Sequence, residues 1–453
     1  MYWKLKVWEY GKIKRAEIET APLTLFVGDN NSGKSYLMSL LWGIRNMGVD
    51  ALLNNDGEQE SEEERILLDW MREKIAAARE KGSCAARVGE IAGELQTVLD
   101  KGVQRNKDNL VERIFNSRAV KIKELRIELK GLDDFFIRIE KTDGVSEEDS
   151  VFNFKGNGDI SYYMEFSQET FAKLNDNVNQ IMTYVIFSLV LDISVGRIDD
   201  TNRIAFLPSS RTGFMLTKDL VNKAGRNAAF NMGLGKEKVT PFSRPVIQFL
   251  DVMNDLTLDG KGREEFHKIL SYLENGMAEG TVDINALPGK EVVYVPEGGT
   301  EGIPFRAVSA VVTELSPLIL LLKYKENLDV LFYEEPEMCL HPQLQQKMAK
   351  VICHLVNKGL EMAITTHSDI ILQHVNNMIR LSEREDREKI CGRLGYTEDD
   401  LLPAAKVRVY QLKSMPAGET VVEELKCGEN GFVIPTFNDA LDKIMEEAYT
   451  IQE

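Results

Sequence analysis

The sequence predicts an α/β fold whose core is a parallel sheet, and three parts of the chain carry that prediction. Leu23–Val27 is apolar like a buried strand and runs into a glycine-rich loop, after which Tyr36–Arg45 has helical spacing. Two further apolar strands, Val330–Tyr333 and Met362–Thr365, flank a helical stretch from Pro342 to Asn357. Strands that alternate with helices favour a parallel sheet.

Other patterns predict the elements around this core. Leu5–Val27 has the pattern of short strands separated by a turn at Gly11. From Glu58 to Arg126 the chain is charged and rich in alanine and leucine, which predicts a helical insertion. The middle of the chain predicts three strands, a long helix and another strand, in this order: Phe135–Lys141, Val151–Lys155, Ile160–Phe166, Gln168–Ile193 and Arg203–Leu207.

The rest of the chain repeats this alternation of helices and strands. Met215–Gly280 is polar and mostly helical, and we expect it to join the first insertion in a second lobe. A strand at Val292–Val295 precedes a helix that begins near Ser309. The chain is then predicted to end with a strand at Lys406–Leu412 and a helix from Thr436.

Composition limits the classes of function. With 453 residues and 43% hydrophobic composition, the chain can bury a large core, and we expect two lobes. A net charge of -17 argues against a surface built for nonspecific binding to a nucleic-acid backbone. The five cysteines are scattered and lack a C-x-x-C pair, which indicates neither a disulfide framework nor a zinc site.

The expected location is cytoplasmic, with no membrane partner. The first residues alternate polar and apolar side chains and lack the apolar region of a signal peptide. The strongest apolar run, Ile181–Leu191, is well short of the ~20 residues that cross a bilayer as a helix. We interpret it as part of a core helix.

A phosphate-binding loop is the strongest motif. Residues 28–35 match G-x-x-x-x-G-K-[ST] between a predicted strand and a predicted helix. The predicted nucleotide-binding residues are Gly28, Asn30, Asn31, Ser32, Gly33, Lys34 and Ser35. Backbone N–H groups of such a loop surround phosphate oxygens, Lys34 reaches the terminal phosphates, and the Ser35 hydroxyl coordinates Mg²⁺. The expected cofactors are therefore ATP and Mg²⁺.

Two strand ends carry the residues predicted to complete the site. The strand Val330–Tyr333 ends in two acids, of which we assign Glu334 to the metal and Glu335 to the general base. His367 follows the next strand and would emerge at the same sheet edge, where it could sense the terminal phosphate. The alternative for His367 is a structural role.

These motifs together resemble the ABC-type ATPases of the overcoming-lysogenisation-defect (OLD) and SMC/RecF-like group. The resemblance is carried by the glycine-rich loop, by Glu334-Glu335-Pro336-Glu337 with Leu340-His341-Pro342, and by Thr365-Thr366-His367-Ser368. It implies an ABC-type P-loop ATPase head with a mixed sheet and a helical insertion lobe. The implied division is head at 1–57, 133–214 and 291–453, with helical insertions at 58–132 and 215–290.

The resemblance also implies a homodimer, or a higher assembly of dimers, in which nucleotide lies between two subunits. In that group a serine-led helix of one subunit completes the phosphate site of the other, and the candidate here is Ser309. The usual glycine is absent, because Ala310 and Val311 occupy that stretch. The alternative is that Ser309 only caps its own helix.

Arg211 belongs to a second element that resembles the group, Pro208-Ser209-Ser210-Arg211. We predict that Arg211 contacts phosphate or transmits the nucleotide state, and the alternative is a surface-loop arginine. OLD proteins carry a C-terminal TOPRIM nuclease domain, but the residues after His367 are expected to be too few for one.

The leading hypothesis is an ATPase that regulates or scaffolds a separate effector, a nuclease or toxin encoded nearby, as in the anti-phage defence modules whose ATPase subunits it resembles. The alternative is an SMC/RecF-like DNA-repair or DNA-clamping ATPase, for which DNA would be the partner. A transporter subunit is a third interpretation, and the altered serine-led helix and the two insertions argue against it.

Overall fold

A computed structural model describes residues 3–53, 60–143, 149–156, 161–167, 176–196, 201–218, 242–285, 291–434 and 445–451. Its strands are β1 Trp3–Tyr10, β2 Ile13–Ile18, β3 Leu23–Gly28, β4 Ser83–Arg87, β5 Ile122–Leu129, β6 Phe136–Asp143, β7 Asp149–Lys155, β8 Ser161–Ser167, β9 Ile204–Leu207, β10 Gly280–Ile284, β11 Val292–Pro296, β12 Ile303–Pro304, β13 Val330–Glu334, β14 Glu361–Thr366, β15 Val407–Ser414 and β16 Thr420–Leu425.

Its α-helices are α1 Lys34–Asn46, α2 Gly48–Leu53, α3 Glu62–Lys81, α4 Ala92–Phe115, α5 Asp176–Ser194, α6 Arg244–Asp255, α7 His267–Leu273, α8 Ala310–Tyr324, α9 Pro342–Asn357, α10 Asp369–Ser382 and α11 Arg387–Leu394. Residues 211–218 and 445–451 are helical as well. The chain forms two compact units, which we call the first and the second unit. The first comprises Met1–Glu19, Leu40–Arg113 and Ser117–Thr201, and the second comprises Thr20–Ser39, Ile114–Asn116 and Asn202–Glu453.

The first unit contains antiparallel strands and long helices. β1 pairs with β2 and β5, and β4, β6, β7 and β8 form a four-stranded sheet. The helix α3 packs on β4 and β6. It starts at a capping box in which Ser61 and Glu64 each accept the other's backbone N–H, and it ends at Gly82 with φ 82°. These local signals set both ends of α3.

The second unit is built on a mixed sheet whose order is β16-β15-β3-β14-β13-β9. The five strands from β15 to β9 are parallel, and β16 is antiparallel to β15. Register aligns Thr366 with Val27 and Glu334 with Thr365. The carboxyl ends of β3, β14 and β13 therefore meet at one edge of the sheet, which is where ligands bind in folds of this kind.

Apolar residues from the strands and helices of the second unit form one core. Every residue of β3 and β13 is buried, as expected for central strands covered on both faces. The helix α8 is apolar around most of its circumference and has eleven buried residues, which fits a helix inside a core rather than on a surface. This core holds the carboxyl-end edge of the sheet in place.

The predicted α/β fold with a mixed sheet is confirmed, and several predicted elements match closely. Helix α9 has the predicted bounds, and β6, β7 and β8 lie where three strands were expected. The predicted long helix is present as α5, and its expected first residues, 168–175, are outside the described residues. The same is true of residues 219–241 and 286–290 of the second insertion and of residues 436–444 of the predicted C-terminal helix.

One pairing joins two segments that the sequence separates. β4 lies in the predicted insertion 58–132 and pairs with β6, which lies in the stretch predicted to continue the head. The first insertion also contains β5 and is thus not wholly helical. No helix in the described part of the chain is both long and apolar enough to cross a membrane.

Candidate nucleotide-binding site

The glycine-rich loop follows β3 directly, and its backbone requires residues with little steric restriction. Gly28 has φ 134°, and a Cβ there would lie 2.1 Å from the carbonyl oxygen of Leu412 on β15. Gly33 has φ 97° and Asn31 has φ 59°. The loop then enters α1 at Lys34, so its N–H groups lie at a helix N-terminus, a favourable place for an anion.

Asn30 and Asn31 are exposed on the loop, and Ser32 lies beneath it. The Ser32 hydroxyl is buried and has no hydrogen-bond partner among the described residues. A buried hydroxyl of this kind normally finds a partner, and a phosphate oxygen would supply one.

Lys34 is buried under the loop. Its ammonium donates to the carbonyl oxygens of Gly28 at 3.0 Å and Asp29 at 2.7 Å. Burial lowers the pKa of Lys34 to about 8, and the negative charges of Glu335, Asp29 and Glu337 limit that shift. The structure thus holds an ammonium group beside the loop, where a bound phosphate could accept its N–H groups.

Ser35 and Glu334 form the predicted metal pair. The Ser35 hydroxyl hydrogen-bonds to the Glu334 carboxylate, which also accepts the backbone N–H of Ser209 at 3.0 Å. Burial raises the pKa of Glu334, and both hydrogen bonds oppose that shift. One hydroxyl and one carboxylate oxygen in contact fit Mg²⁺, which takes one or two protein oxygens and completes its shell with phosphate and water. The described residues contain no larger group of His, Cys, Asp and Glu that could hold a metal.

Glu335 and His367 lie beside each other at the same edge. Their side chains approach to 3.7 Å between Glu335 Oε1 and His367 Nε2. The His367 ring also hydrogen-bonds to the backbone carbonyl of Gly28. Burial, and secondarily the charge of Lys34, lowers the pKa of His367, so its imidazole is neutral at physiological pH. The general-base candidate thus has a neutral ring as its neighbour.

The backbone of Glu335 adopts a sparsely populated conformation. Its φ is 43°, which for a residue other than glycine costs on the order of 1 kcal/mol or more. The Glu335 N–H donates to the Thr365 carbonyl at 2.9 Å, and its C=O accepts from Arg211 at 3.0 Å. Hydrogen bonds on both sides therefore hold this strained residue in place.

Arg211 is not a surface-loop residue. Its side chain is 0% exposed. Its guanidinium donates to backbone carbonyl oxygens and pairs with the Glu314 carboxylate. The surface-arginine alternative is therefore wrong. In this conformation Arg211 lies beneath the strand ends with its donors engaged, which does not fit the predicted phosphate contact and leaves transmission of the nucleotide state as its predicted role.

Ser309 is exposed and caps α8, with its hydroxyl accepting the Val312 N–H at 3.4 Å. The cap is thus present, which does not decide whether capping is the only role of Ser309. A role toward a second subunit is compatible with the same exposed position and stays a prediction.

Sequence reasoning assigned no role to two acids that the structure makes central. The Glu337 carboxylate accepts hydrogen bonds from the backbone N–H of His367 and from the Thr366 hydroxyl. Glu314 of α8 is 2% exposed and pairs with Arg211. The sequence does contain a signal for Glu314, which is a single carboxylate in an apolar helix. A buried charge needs a partner, so this pattern predicts a paired residue.

Comparisons with known proteins give one family match. Residues 241–372 match the model of the AAA ATPase domain, a stretch that includes Glu334, Glu335 and His367 but not the glycine-rich loop. No curated protein matches the chain. The match supports an ATPase-type domain in this part of the chain.

Solved structures of SMC heads are similar over nearly the whole chain, at low identity. The SMC head domain from Thermotoga maritima is 11% identical, with 94% of this chain and 100% of that chain covered and a TM-score of 0.34. An SmcHead bound to the C-winged helix domain of ScpA is 14% identical, with 94% and 98% covered and a TM-score of 0.36. An Smc head domain with an extended coiled coil, bound to the C-terminal domain of ScpA derived from Pyrococcus furiosus, is 13% identical, with 100% of both covered and a TM-score of 0.37.

Proposed function

We propose that this protein binds ATP with Mg²⁺ and hydrolyses it to ADP and phosphate. The observation that carries the proposal is the convergence, at one sheet edge, of the glycine-rich loop, the hydrogen-bonded pair Ser35–Glu334 and the neighbouring side chains of Glu335 and His367. Phosphoryl transfer needs positioning and charge stabilisation more than covalent chemistry from the protein. These residues match that need.

Each residue has a defined task in the proposed reaction. Loop N–H groups and Lys34 bind the phosphates. Ser35 and Glu334 would hold a magnesium ion, which would supply neutralisation of charge on the phosphate oxygens. The Glu335 carboxylate accepts a proton from the attacking water. Neutral His367 can donate an N–H to the terminal phosphate, in exchange for its contact with Gly28.

The test compares phosphate release and ATP affinity in three variants. Glu335→Gln should keep the affinity of the wild-type protein and lose roughly 100-fold or more of its turnover, because the amide cannot accept the proton. Lys34→Ala should lose ATP binding. Glu385→Gln removes an exposed carboxylate and serves as control. Turnover in Glu335→Gln within twofold of the wild-type rate, or undiminished binding by Lys34→Ala, would sink the proposal.

We propose further that two copies bind ATP between them. Support comes from Ser309, which is exposed at the N-terminus of α8, where helix N–H groups can face an anion on a second copy. Glu335→Gln should therefore form an ATP-dependent dimer, measured by light scattering. A monomer at saturating ATP would contradict this arrangement.

The biological role we propose is regulation or scaffolding of a separate effector, a nuclease or toxin encoded nearby, in anti-phage defence. Its support is the motif resemblance. The test is purification of tagged Glu335→Gln protein from its native host with and without ATP. A neighbouring gene product at fixed stoichiometry would support the role. DNA as the only partner would instead favour the DNA-clamping alternative, which should bind more weakly as salt rises.

A further inference from the structure

Arg211 makes four hydrogen bonds to backbone carbonyl groups and one ion pair within the second unit. Nη1 donates to the carbonyl oxygens of Glu334 at 2.7 Å and Pro208 at 3.1 Å, and Nη2 donates to the Glu335 carbonyl at 3.0 Å. Nη2 also pairs with the Glu314 carboxylate, and Nε reaches the Glu314 carbonyl at 3.4 Å. A guanidinium carries its N–H groups in a rigid fork, so these four hydrogen bonds and the ion pair fix its orientation.

The acceptors of Arg211 belong to separate parts of the second unit. Glu334 and Glu335 end the strand that carries the proposed metal ligand and general base. Glu314 lies on α8, five residues after the exposed cap Ser309. A single buried side chain therefore joins α8 to the backbone of the proposed catalytic acid.

The neighbours of Arg211 restrict its movement. Thr212 donates its hydroxyl to the second oxygen of the Glu314 carboxylate at 2.5 Å, and the guanidinium lies 4.8 Å from the centre of the Tyr333 ring. Burial raises the pKa of Glu314, and the charge of Arg211 opposes that shift. Because the pair is buried, a movement of Glu314 carries Arg211 with it.

The Glu335 backbone is the group most sensitive to such a movement. Its φ of 43° is unfavourable without support. Its carbonyl accepts from Arg211 at 3.0 Å and from the Met338 N–H at 3.1 Å, and its N–H donates to Thr365. Displacement of the guanidinium would remove one of these supports and let the carboxylate leave its place beside His367.

We propose that Arg211 and Glu314 are positioning residues that link α8 to Glu335, so that ATP turnover depends on where the N-terminal end of α8 is held. This inference rests on the proposed ATPase function and extends it. When a second copy's nucleotide engages the Ser309 end of α8, Glu314 and Arg211 transmit the shift to the Glu335 backbone. Arg211 itself touches no nucleotide.

The experiment measures kcat, the KM for ATP and thermal stability in Arg211→Lys, Glu314→Gln and the double variant. Lysine keeps the charge but cannot engage the same set of acceptors. We expect each single variant to lose roughly 10- to 100-fold in kcat with KM within about twofold, because a misplaced base slows the reaction without weakening binding. The double variant should lose little more than either single variant, because both residues act through one linkage.

A matched control is available in Arg263. Its guanidinium lies 4.6 Å from the Phe266 ring and donates to the carbonyl oxygens of Leu328 and Lys358, close to where β13 and β14 begin. Arg263→Lys should therefore lower the unfolding temperature and leave kcat unchanged. An equal loss of kcat in Arg263→Lys would reduce Arg211 to a stabilising role.

Three results would overturn the inference. The first is an unchanged kcat in folded Arg211→Lys. The second is a loss of kcat in the double variant that equals the product of the losses in the two single variants. The third is a rise in the KM of Arg211→Lys without a change in kcat, which would mean that Arg211 contacts nucleotide. If Arg211→Lys does not fold, Thr212→Val decides, since it removes only the hydroxyl donor to Glu314 and should lower kcat by a smaller factor. Failure of the proposed ATPase function gives a different result from failure of this inference, because the wild-type protein itself would then release no phosphate.

Discussion

The Glu337 carboxylate accepts a 2.6 Å hydrogen bond from the backbone N–H of His367. It also accepts a hydrogen bond from the Thr366 hydroxyl, so one side chain after β13 fixes the backbone at the end of β14. Burial raises the pKa of Glu337, and the hydrogen bond from His367 is the largest of the contacts that oppose this shift. The segment that carries His367 is thus held by the segment that carries Glu335.

Glu337→Gln should lower ATP turnover without weakening ATP binding. Glutamine that keeps its oxygen on the His367 N–H must place its NH2 group where Oε2 lies, which is buried and has no hydrogen-bond partner among the described residues. An unsatisfied buried donor is costly, so the side chain would move and His367 would lose its defined position beside Glu335. We expect kcat to fall roughly 10-fold, with KM within about twofold of the wild-type value. Steady-state phosphate release measures both, and Glu385→Gln is the control for loss of one carboxylate. A selective rise in KM would instead make Glu337 part of the nucleotide-binding surface.

ATP affinity should fall as pH rises through about 8 because of Lys34. Burial lowers the pKa of Lys34 to about 8 in the free protein, and a bound triphosphate raises it again because it attracts the ammonium. Binding above that pH therefore takes up a proton. By linkage, affinity is constant below pH 8 and falls above it by up to about tenfold per pH unit.

A fluorescent ATP analogue titrated from about pH 6.5 to about pH 9.5 measures this dependence. The control is Lys34→Arg, whose guanidinium stays charged throughout, so any binding it retains should lose the slope. A flat profile in the wild-type protein, or the same slope in Lys34→Arg, would show that another group titrates.

Local patterns were sufficient to predict the strand ends and the loop of the candidate site. The apolar run before Gly28 and the run before Glu334 each specify a buried strand with polar residues at its carboxyl end, and parallel packing then brings such ends together. Gly28 was predicted from the loop motif, and the structure gives the physical reason for it, because its φ of 134° and its approach to β15 exclude other residues.

Contacts between distant segments could not be predicted in this way. Arg211 and Glu314 are about a hundred residues apart, and nothing near either residue specifies the other. The pairing of β4 with β6 likewise joins two segments that α4 and β5 separate along the chain. Such contacts depend on tertiary packing, whereas hydrophobic periodicity reports only the local conformation and the buried face.

Gly28→Ala should disrupt the site by steric clash. Both Gly28 and Gly82 have positive φ, but a Cβ at Gly28 would lie 2.1 Å from the Leu412 carbonyl, while a Cβ at Gly82 meets nothing within 4 Å. Gly82→Ala should therefore cost only the ~1 kcal/mol of a left-handed alanine. Gly28→Ala should cost several times as much and abolish ATP binding. Equal shifts in unfolding temperature for the two variants would contradict the clash.

Glu279→Gly should stabilise the protein. Glu279 is exposed, has φ 54° and ends the π-helical turn Glu274–Ala278, a position where glycine is favoured. Removing the left-handed strain gains ~1 kcal/mol, and the greater flexibility of glycine in the unfolded chain offsets part of it, which leaves a net gain of ~0.5 kcal/mol. Glu279→Val should do the opposite, because a β-branched residue tolerates positive φ poorly. Thermal unfolding measures both changes. The control is Glu385→Gly, which removes an exposed glutamate that does not have positive φ and should therefore lower the stability of the protein. A gain in stability equal to that of Glu279→Gly would assign the effect to the lost charge instead of to backbone strain.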